Sequence, residues 1–240
     1  AMIAVRLLPT AIFCDFVARL GMDSRWISDK PGITLLAMVV ILAAGMWAAN
    51  PAWAGDLTWC NRGDAKADEG SWRQAEKLYG LCITNGELEG AELASAHHRH
   101  GRALMKLKRF EPALDAMDAA LAADDAHAPA WNTRAWLGLL TDSLEQALSD
   151  AERALNLAPD NVRTIDTHAH ILAALGRGDE ALAAFNRAVS LYDSEGVAKY
   201  QNALATAGYD PGSADGVAGA RTHEALAACV ADACNLWPIP

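Results

Sequence analysis

Ala113–Ala120 reads ALDAMDAA, Ala147–Ala154 reads ALSDAERA and Ala181–Ala188 reads ALAAFNRA, so three alanine-bounded stretches recur at intervals of 34 positions. A period of that length marks an architecture in which each unit is two antiparallel helices that bury their apolar faces only by stacking on the next unit. The alanines at both ends of each stretch are small enough to let the two helices of a pair touch. Large residues between them, Leu104, Phe110, Trp131, Leu172 and Phe185, fill the space to the neighbouring pair. Turn chemistry agrees with this register. Lys108-Arg109, Thr141-Asp142-Ser143 and Gly176-Arg177-Gly178-Asp179 fall between the helices of a pair, and Pro159-Asp160 closes one unit before the next begins. The pattern predicts an all-α chain with three helical hairpins over about residues 94–193, within a segment 91–195.

The combination of Gly101, Leu104, Trp131, Ala147, Ala154, Pro159, Leu172, Ala181, Phe185 and Ala188 resembles the tetratricopeptide repeat family. That resemblance implies an α-solenoid whose first helices line a groove where peptides or partner segments lie. In this register the groove positions are His98, Arg102, Asn132, Trp136, Asp166 and His170. A more divergent hairpin precedes them within 55–90, with Gly63, Ala75 and Tyr79 at the small, small and aromatic positions and Gly86 and Gly90 loosening the link that follows. Facing residues of an antiparallel hairpin share one index sum. Gly63 with Tyr79, Ala67 with Ala75 and Cys60 with Cys82 all satisfy the same sum, so the two sulfurs are expected to face each other and form a disulfide.

Composition bounds what these hairpins can do. With 240 residues, 52% apolar content and a formal charge of −10, the chain can bury a sizeable helical core, but it has no run of Lys or Arg to attract phosphate backbones. Nucleic acid is not an expected partner. Ile33–Ala49 is uncharged and apolar, follows Arg25 and Lys30, and leads into Asn50-Pro51-Ala52-Trp53-Ala54. That order predicts a secretory signal cleaved after Ala54, with a retained membrane anchor as the alternative. Residues 1–54 are thus read as leader and signal, with Met22 as the expected translation start, and the mature chain as a periplasmic protein off the membrane. Trp59 before Cys60 argues against a lipoprotein. Cys14 falls in the leader, which leaves Cys60, Cys82, Cys229 and Cys234 for an oxidising compartment.

After Tyr192 the 34-residue period fails and Gly and Asp become frequent, so 196–240 is read as a separate small unit. Gln201 and Leu204, then Gly208-Tyr209, Asp215-Gly216 with Gly219, and Thr222 resemble the peptidoglycan-binding-like family of small helical domains. The resemblance implies a docking module, with cell wall as a second candidate partner. The sequence departs from the family at Ala228 and Cys229, where an aromatic and Gln are usual. Thr222 is expected to cap the last helix, and Cys229 with Cys234 to tie the end of that helix to the tail.

Seven histidines raise the question of a metal. His97, His98 and His100 lie in one repeat and His168 and His170 two repeats later, without Cys or carboxylates at ligand spacing beside them, so no metal or cofactor is expected. No nucleophile stands with a base, and no phosphate-cradling loop is present. The sequence therefore predicts an exported, non-enzymatic interaction protein that holds a protein or peptide segment in the groove and docks through its C-terminal unit on peptidoglycan or on the solenoid's own end. Two alternatives stay open: a soluble periplasmic adaptor whose C-terminal unit is only a structural cap, and a divergent wall-processing enzyme.

Overall fold

A computed structural model describes residues 57–234, which belong to a unit spanning Gly55–Pro240. The expected signal, the Met22 start and the cleavage point at Ala54 lie outside the described residues. Those described residues form ten α-helices and no strand. They are α1 Thr58–Asp68, α2 Trp72–Asn85, α3 Gly90–Lys106, α4 Phe110–Ala123, α5 Ala128–Leu140, α6 Leu144–Leu157, α7 Val162–Ala174, α8 Gly178–Leu191, α9 Ser194–Thr206 and α10 Ala220–Ala231.

The first eight helices pair as four hairpins, and the first helices α3, α5 and α7 also pack side by side. Local sequence sets the boundaries. Lys108, Asp142 and Gly176, each 34 positions apart, all take positive φ (58°, 61° and 72°) and close the first helix of a hairpin. Beyond each turn the chain bonds back, Arg109 N to Leu104 O at 3.0 Å, Ser143 N to Gly138 O at 2.8 Å and Arg177 N to Leu172 O at 2.9 Å, so the last carbonyls are satisfied as the next helix starts. At the other end, the side chains of His127, Asn161 and Asp193 accept from the backbone N–H of Ala130, Thr164 and Gly196 and cap α5, α7 and α9.

Ala113, Ala120, Ala147, Ala154, Ala181 and Ala188 are all fully buried where the paired helices meet. The helices approach closely at Gly138, where an added Cβ would lie 2.9 Å from that of Ala147. Gly63 gives way in the same manner to the Tyr79 ring in the first hairpin. The period does not end at Tyr192. It resumes with a shift: Val197, Tyr200 and Leu204 follow Ile165, His168 and Leu172 by 32 positions, and the α9 turn closes with the same Tyr209 N to Leu204 O bond at 3.0 Å. Two fewer residues between α8 and α9 hide this register from a search at 34. The first hairpin is offset the other way, since Gly63, Ala75 and Cys82 precede Gly101, Ala113 and Ala120 by 38, the extra residues lying in the link before α3.

The C-terminal helices are packed into the solenoid's core. Val197, Tyr200, Leu204, Leu226 and Cys229 join Leu172, Phe185 and Val189 of α7 and α8 in one buried cluster. α10 packs against both α8 and α9.

Candidate partner-binding groove

The inner face is built from the first helices, and its six expected residues divide into two groups. On α3 and α5, Arg102 is exposed and His98, Asn132 and Trp136 are half-buried. His98 Nε2 lies 3.0 Å from Thr133 Oγ1, a bond that ties adjacent repeats together. Its ring centroid is 5.3 Å from that of His127. Burial, together with His127 and the guanidiniums of Arg102, Arg99 and Arg163, holds His98 down at about 3, so it is neutral at physiological pH. The Asn132 Oδ1 atom is buried without a hydrogen-bond partner.

On α7 the inner face is closed. Asp166 and His170 are buried, 7% and 5% exposed, with Tyr200 of α9 against Asp166 and with Phe185 of α8 and Trp136 of α5 against His170. The Tyr200 hydroxyl donates to Asp166 Oδ1. His170 Nε2 is 3.7 Å from the same oxygen, and its ring stands edge-on to Phe185 at 4.9 Å and to Trp136 at 6.0 Å. Burial pushes the Asp166 carboxyl up to about 7 and His170 down to about 4. Of these two residues, both expected along an open groove, Asp166 instead joins α7 to α9, and His170 is buried between Phe185 and Trp136.

The C-terminal motif residues converge on one another. Gln201 is 1% exposed. Its Nε2 donates to Asp215 Oδ1 at 3.1 Å, Val217 O at 3.0 Å and Thr222 Oγ1 at 3.2 Å, while its Oε1 accepts from Gly216 N at 3.0 Å. Gly216, at φ 76°, packs against the Ser194 carbonyl and leaves no room for a side chain. Thr222 was expected to cap α10. It sits inside that helix and donates to Pro211 O at 3.2 Å, because Gly219 occupies the cap position and the hydroxyl is drawn into the Gln201 cluster. Tyr209 donates to Asp232 Oδ2 at 3.1 Å and ties the turn after Gly208 to the end of α10. The motif thus folds a loop onto a helix. Gly219 and Leu204 serve the same end, one starting α10 and the other buried beneath it.

Comparisons with known proteins agree with this geometry. Residues 94–127 match the tetratricopeptide repeat family. A TPR repeat-containing protein of Rhizobium etli is 33% identical over 94 residues, which are 39% of this chain and 46% of that protein, so the chain spans about half the length of this curated relative. Among solved structures, MamA is similar with a TM-score of 0.50 at 19% identity, over 62% of this chain and 83% of that one. MamA from Desulfovibrio magneticus is similar with a TM-score of 0.51 at 15% identity, over 73% and 88%. The hairpins form a tetratricopeptide-type solenoid.

Within the solenoid, the structure pairs Cys60 with Cys82 across α1 and α2, Cα atoms 5.2 Å apart, and Cys229 with Cys234 at the end of α10, Cα atoms 5.0 Å apart. Among the described residues no group of His, Cys, Asp or Glu is arranged to hold a metal ion, and no helix is long and apolar enough to cross a membrane. A cavity of about 350 Å³ opens between α4, α5 and α6, beside Arg134 and Asp150. Its charges answer one another: Arg134 donates to Asp150 at 2.7 and 2.8 Å and to Asp118 at 2.7 Å, and Gln146 donates to Asp150 at 3.1 Å.

Sequence reasoning missed Arg163 beside the inner face and Tyr200 as the residue that covers Asp166. Arg163 was detectable, since it lies one helical turn before Asp166 on α7. Tyr200 was hidden by the two-residue shift before α9.

Proposed function

We propose that this chain is an exported, non-catalytic protein-interaction scaffold of the bacterial cell envelope that holds a segment of a partner protein along α3 and α5. The observation that carries this reading is the row of partly open side chains, His98, Arg102, Asn132 and Trp136, set on adjacent helices whose backs are locked by buried alanines. A rigid, laterally open row suits an extended segment, because the ordering cost of binding falls on the segment alone. Export is supported by the apolar run Ile33–Ala49 with its basic flank and Ala-Trp-Ala ending.

The C-terminal segment supports a second, structural role as a cap. Gln201, Asp215, Gly216 and Thr222 spend their bonding on each other, and α9 covers the apolar end of α7 and α8. Docking on peptidoglycan would then fall to the outer surface of the loop, where Val217 is 66% exposed. Incubation with purified sacculi tests this part: complete recovery in the supernatant at low salt removes it. For the groove, a photo-crosslinking amino acid at Trp136 in cell envelopes is expected to capture a discrete partner set that the same probe at Arg153, on the outer helix α6, does not capture. Identical adducts from both positions would remove the groove from the proposal.

A further inference from the structure

The hairpin of α5 and α6 departs from its neighbours at three places in the repeat. Leu104 and Leu172 are each 2% exposed in the cores of the hairpins on either side, and Gly138 stands at the same position between them, 34 from each. On the second helices, Met117 and Phe185 fill the core where this hairpin has Ala151. One residue earlier, Ala116 and Ala184 flank a carboxylate, Asp150, which is 1% exposed. Bulk has been removed from this hairpin and a buried charge put beside the gap.

The cavity of about 350 Å³ lies at these positions, walled by α5 and by the second helices α4 and α6, and none of the six groove residues lines it. Leu114, Gly138 and Ala147 give it an apolar inner surface, while Asp118, Thr141 and Gln146 are exposed along its rim. Its charge does not cancel. Arg134 donates to both oxygens of Asp150 and to Asp118 Oδ1, so one guanidinium serves two carboxylates and one negative charge is left over. That guanidinium is fixed, its face 4.7 Å from the Trp131 ring and its edge on Asp150. The remaining valences on the rim are acceptors. Asp118 binds Arg134 through one oxygen and keeps the other, Gln146 gives an amide hydrogen to Asp150 and keeps its carbonyl oxygen, and Thr141 donates to Leu137 O and so can only accept.

We infer that this cavity binds an ammonium or guanidinium group carried on an unbranched alkyl stem, the head among Asp118, Gln146 and Thr141 and the stem against Leu114, Gly138 and Ala147. An anion would face the uncancelled carboxylate, and an alcohol would bring a single hydrogen to several acceptors. A cation supplies both the missing charge and enough donors. The volume is at the small end of ligand pockets, about 300–1,000 Å³, which suits one side chain or a small amine. A free alkylamine and a lysine or arginine side chain of a partner polypeptide present the same chemistry. The site is separate from the groove and does not depend on it.

The test uses the full chain and dansyl probes that share a five-carbon stem and end in ammonium, guanidinium, hydroxyl or carboxylate, with binding read from dansyl emission. The two cationic probes are expected to bind at least about tenfold tighter than the other two, with the preference shrinking as salt rises. Asp118→Asn, at an exposed position, is expected to weaken the cationic probes about tenfold and leave the hydroxyl probe unchanged. Asp115→Asn, one turn earlier on α4 and outside the cavity wall, should change neither. Leu114→Trp, which fills the cavity, should weaken every probe, and thermal melts of the three variants should match the parent. Competition then separates the two sources: unlabelled pentylamine and a blocked pentapeptide with one central Lys are each added, and the stronger competitor identifies the free amine or the partner side chain as the ligand. Equal binding of all probes, a cationic preference that survives Asp118→Asn, an equal loss from Asp115→Asn, or no binding at all overturns the inference.

Discussion

The two ends of the solenoid are closed in opposite ways. At the N-terminal end, α1 and α2 bury mainly small side chains, Cys60, Ala75 and Cys82, against Ala96 and Ala103 of α3 and around the ring of Tyr79, with Trp59 and Trp72 packed on the outside. Polar links to the next hairpin run through Asp64, which accepts from Tyr79 at 2.8 Å and from Arg99 at 3.0 Å. At the C-terminal end, Tyr200, Phe185, Leu172, Leu204 and Leu226 fill a large continuous core, and a polar cluster about Gln201 fixes the loop above it. The placement of the disulfides follows from this difference. Cys60 and Cys82, 22 positions apart, join two helices where core volume is thin. Cys229 and Cys234, only 5 apart, tie down the end of a helix that packing already holds. Terminal hairpins lack one neighbour, so each end must replace that neighbour's contribution. One end does so with a covalent link, the other with an added helix and a buried amide.

The largest expected effect falls on the packed end. Gln201→Leu keeps the volume of the side chain and removes its four bonds, leaving Gly216 N–H without a partner, while Asp215 Oδ1 still accepts from Val217 N and Val217 O from Gly219 N. The expected cost is about 3–4 kcal/mol, since each of the four hydrogen bonds contributes about 0.5–1.5 kcal/mol. For a chain of this size that corresponds to a drop in melting temperature of about 10 °C. Hydrogen exchange should show protection lost in α9 and α10 first, with α1 and α2 unchanged. A melting temperature within about 2 °C of the parent would mean that the cap is held by its apolar contacts alone.

At the other end, replacing both Cys60 and Cys82 by Ala is expected to cost about 3 kcal/mol, the loop-closure entropy of a link across about twenty residues. This effect should be local: faster exchange in α1 and α2 with α5 to α10 unaltered, as nearest-neighbour stacking in a solenoid allows. The matching change at Cys229 and Cys234 is expected to cost less, about 2 kcal/mol on the same entropic argument. If the two double substitutions proved equal, or the larger loss came from the tail bridge, the contrast between the ends would fail.

These ends also mark how far the sequence could be read. The hairpins from α3 to α8 were legible because their helices touch through alanines at constant spacing, and the same rule aligned Cys60 with Cys82. The C-terminal end was legible as a set of motif residues and not as an arrangement. Gln201, Asp215, Gly216 and Thr222 are far apart in the chain, and only folding shows that they bond to each other. α9 was missed as a solenoid helix because a two-residue shortening before it moves Val197, Tyr200 and Leu204 off the period of 34. The same omission made Asp166 look open, since the helix that bonds to it was not expected there. Charge in the groove was half legible: Arg102 stands at a recognised position, whereas the absence of an ion pair at Arg102 and Arg163 among the described residues follows only from the fold.

The last effect concerns the junction between α7 and α9, and it depends on pH. Asp166 is raised from 3.8 to about 7 by burial, so its contribution is fully present below about pH 4 and is lost as pH rises through 7, when the buried carboxyl ionises. The histidines act with the opposite sign. His98 and His170 are lowered from 6.5 to about 3 and about 4, chiefly by burial, so they favour the folded state above pH 6.5 and weaken it as pH falls. The parent protein is therefore expected to lose stability on acidification, with Asp166 reducing the loss. Asp166→Asn keeps an acceptor for the Tyr200 hydroxyl and cannot ionise. The melting temperature of this variant minus that of the parent should rise steadily between pH 4 and pH 7.5, because only the parent must bury a charge at the upper end. A difference that stays flat over that range would mean Asp166 is as readily ionised in the fold as in the unfolded chain, and the closure of the inner face by α9 would then owe nothing to its proton.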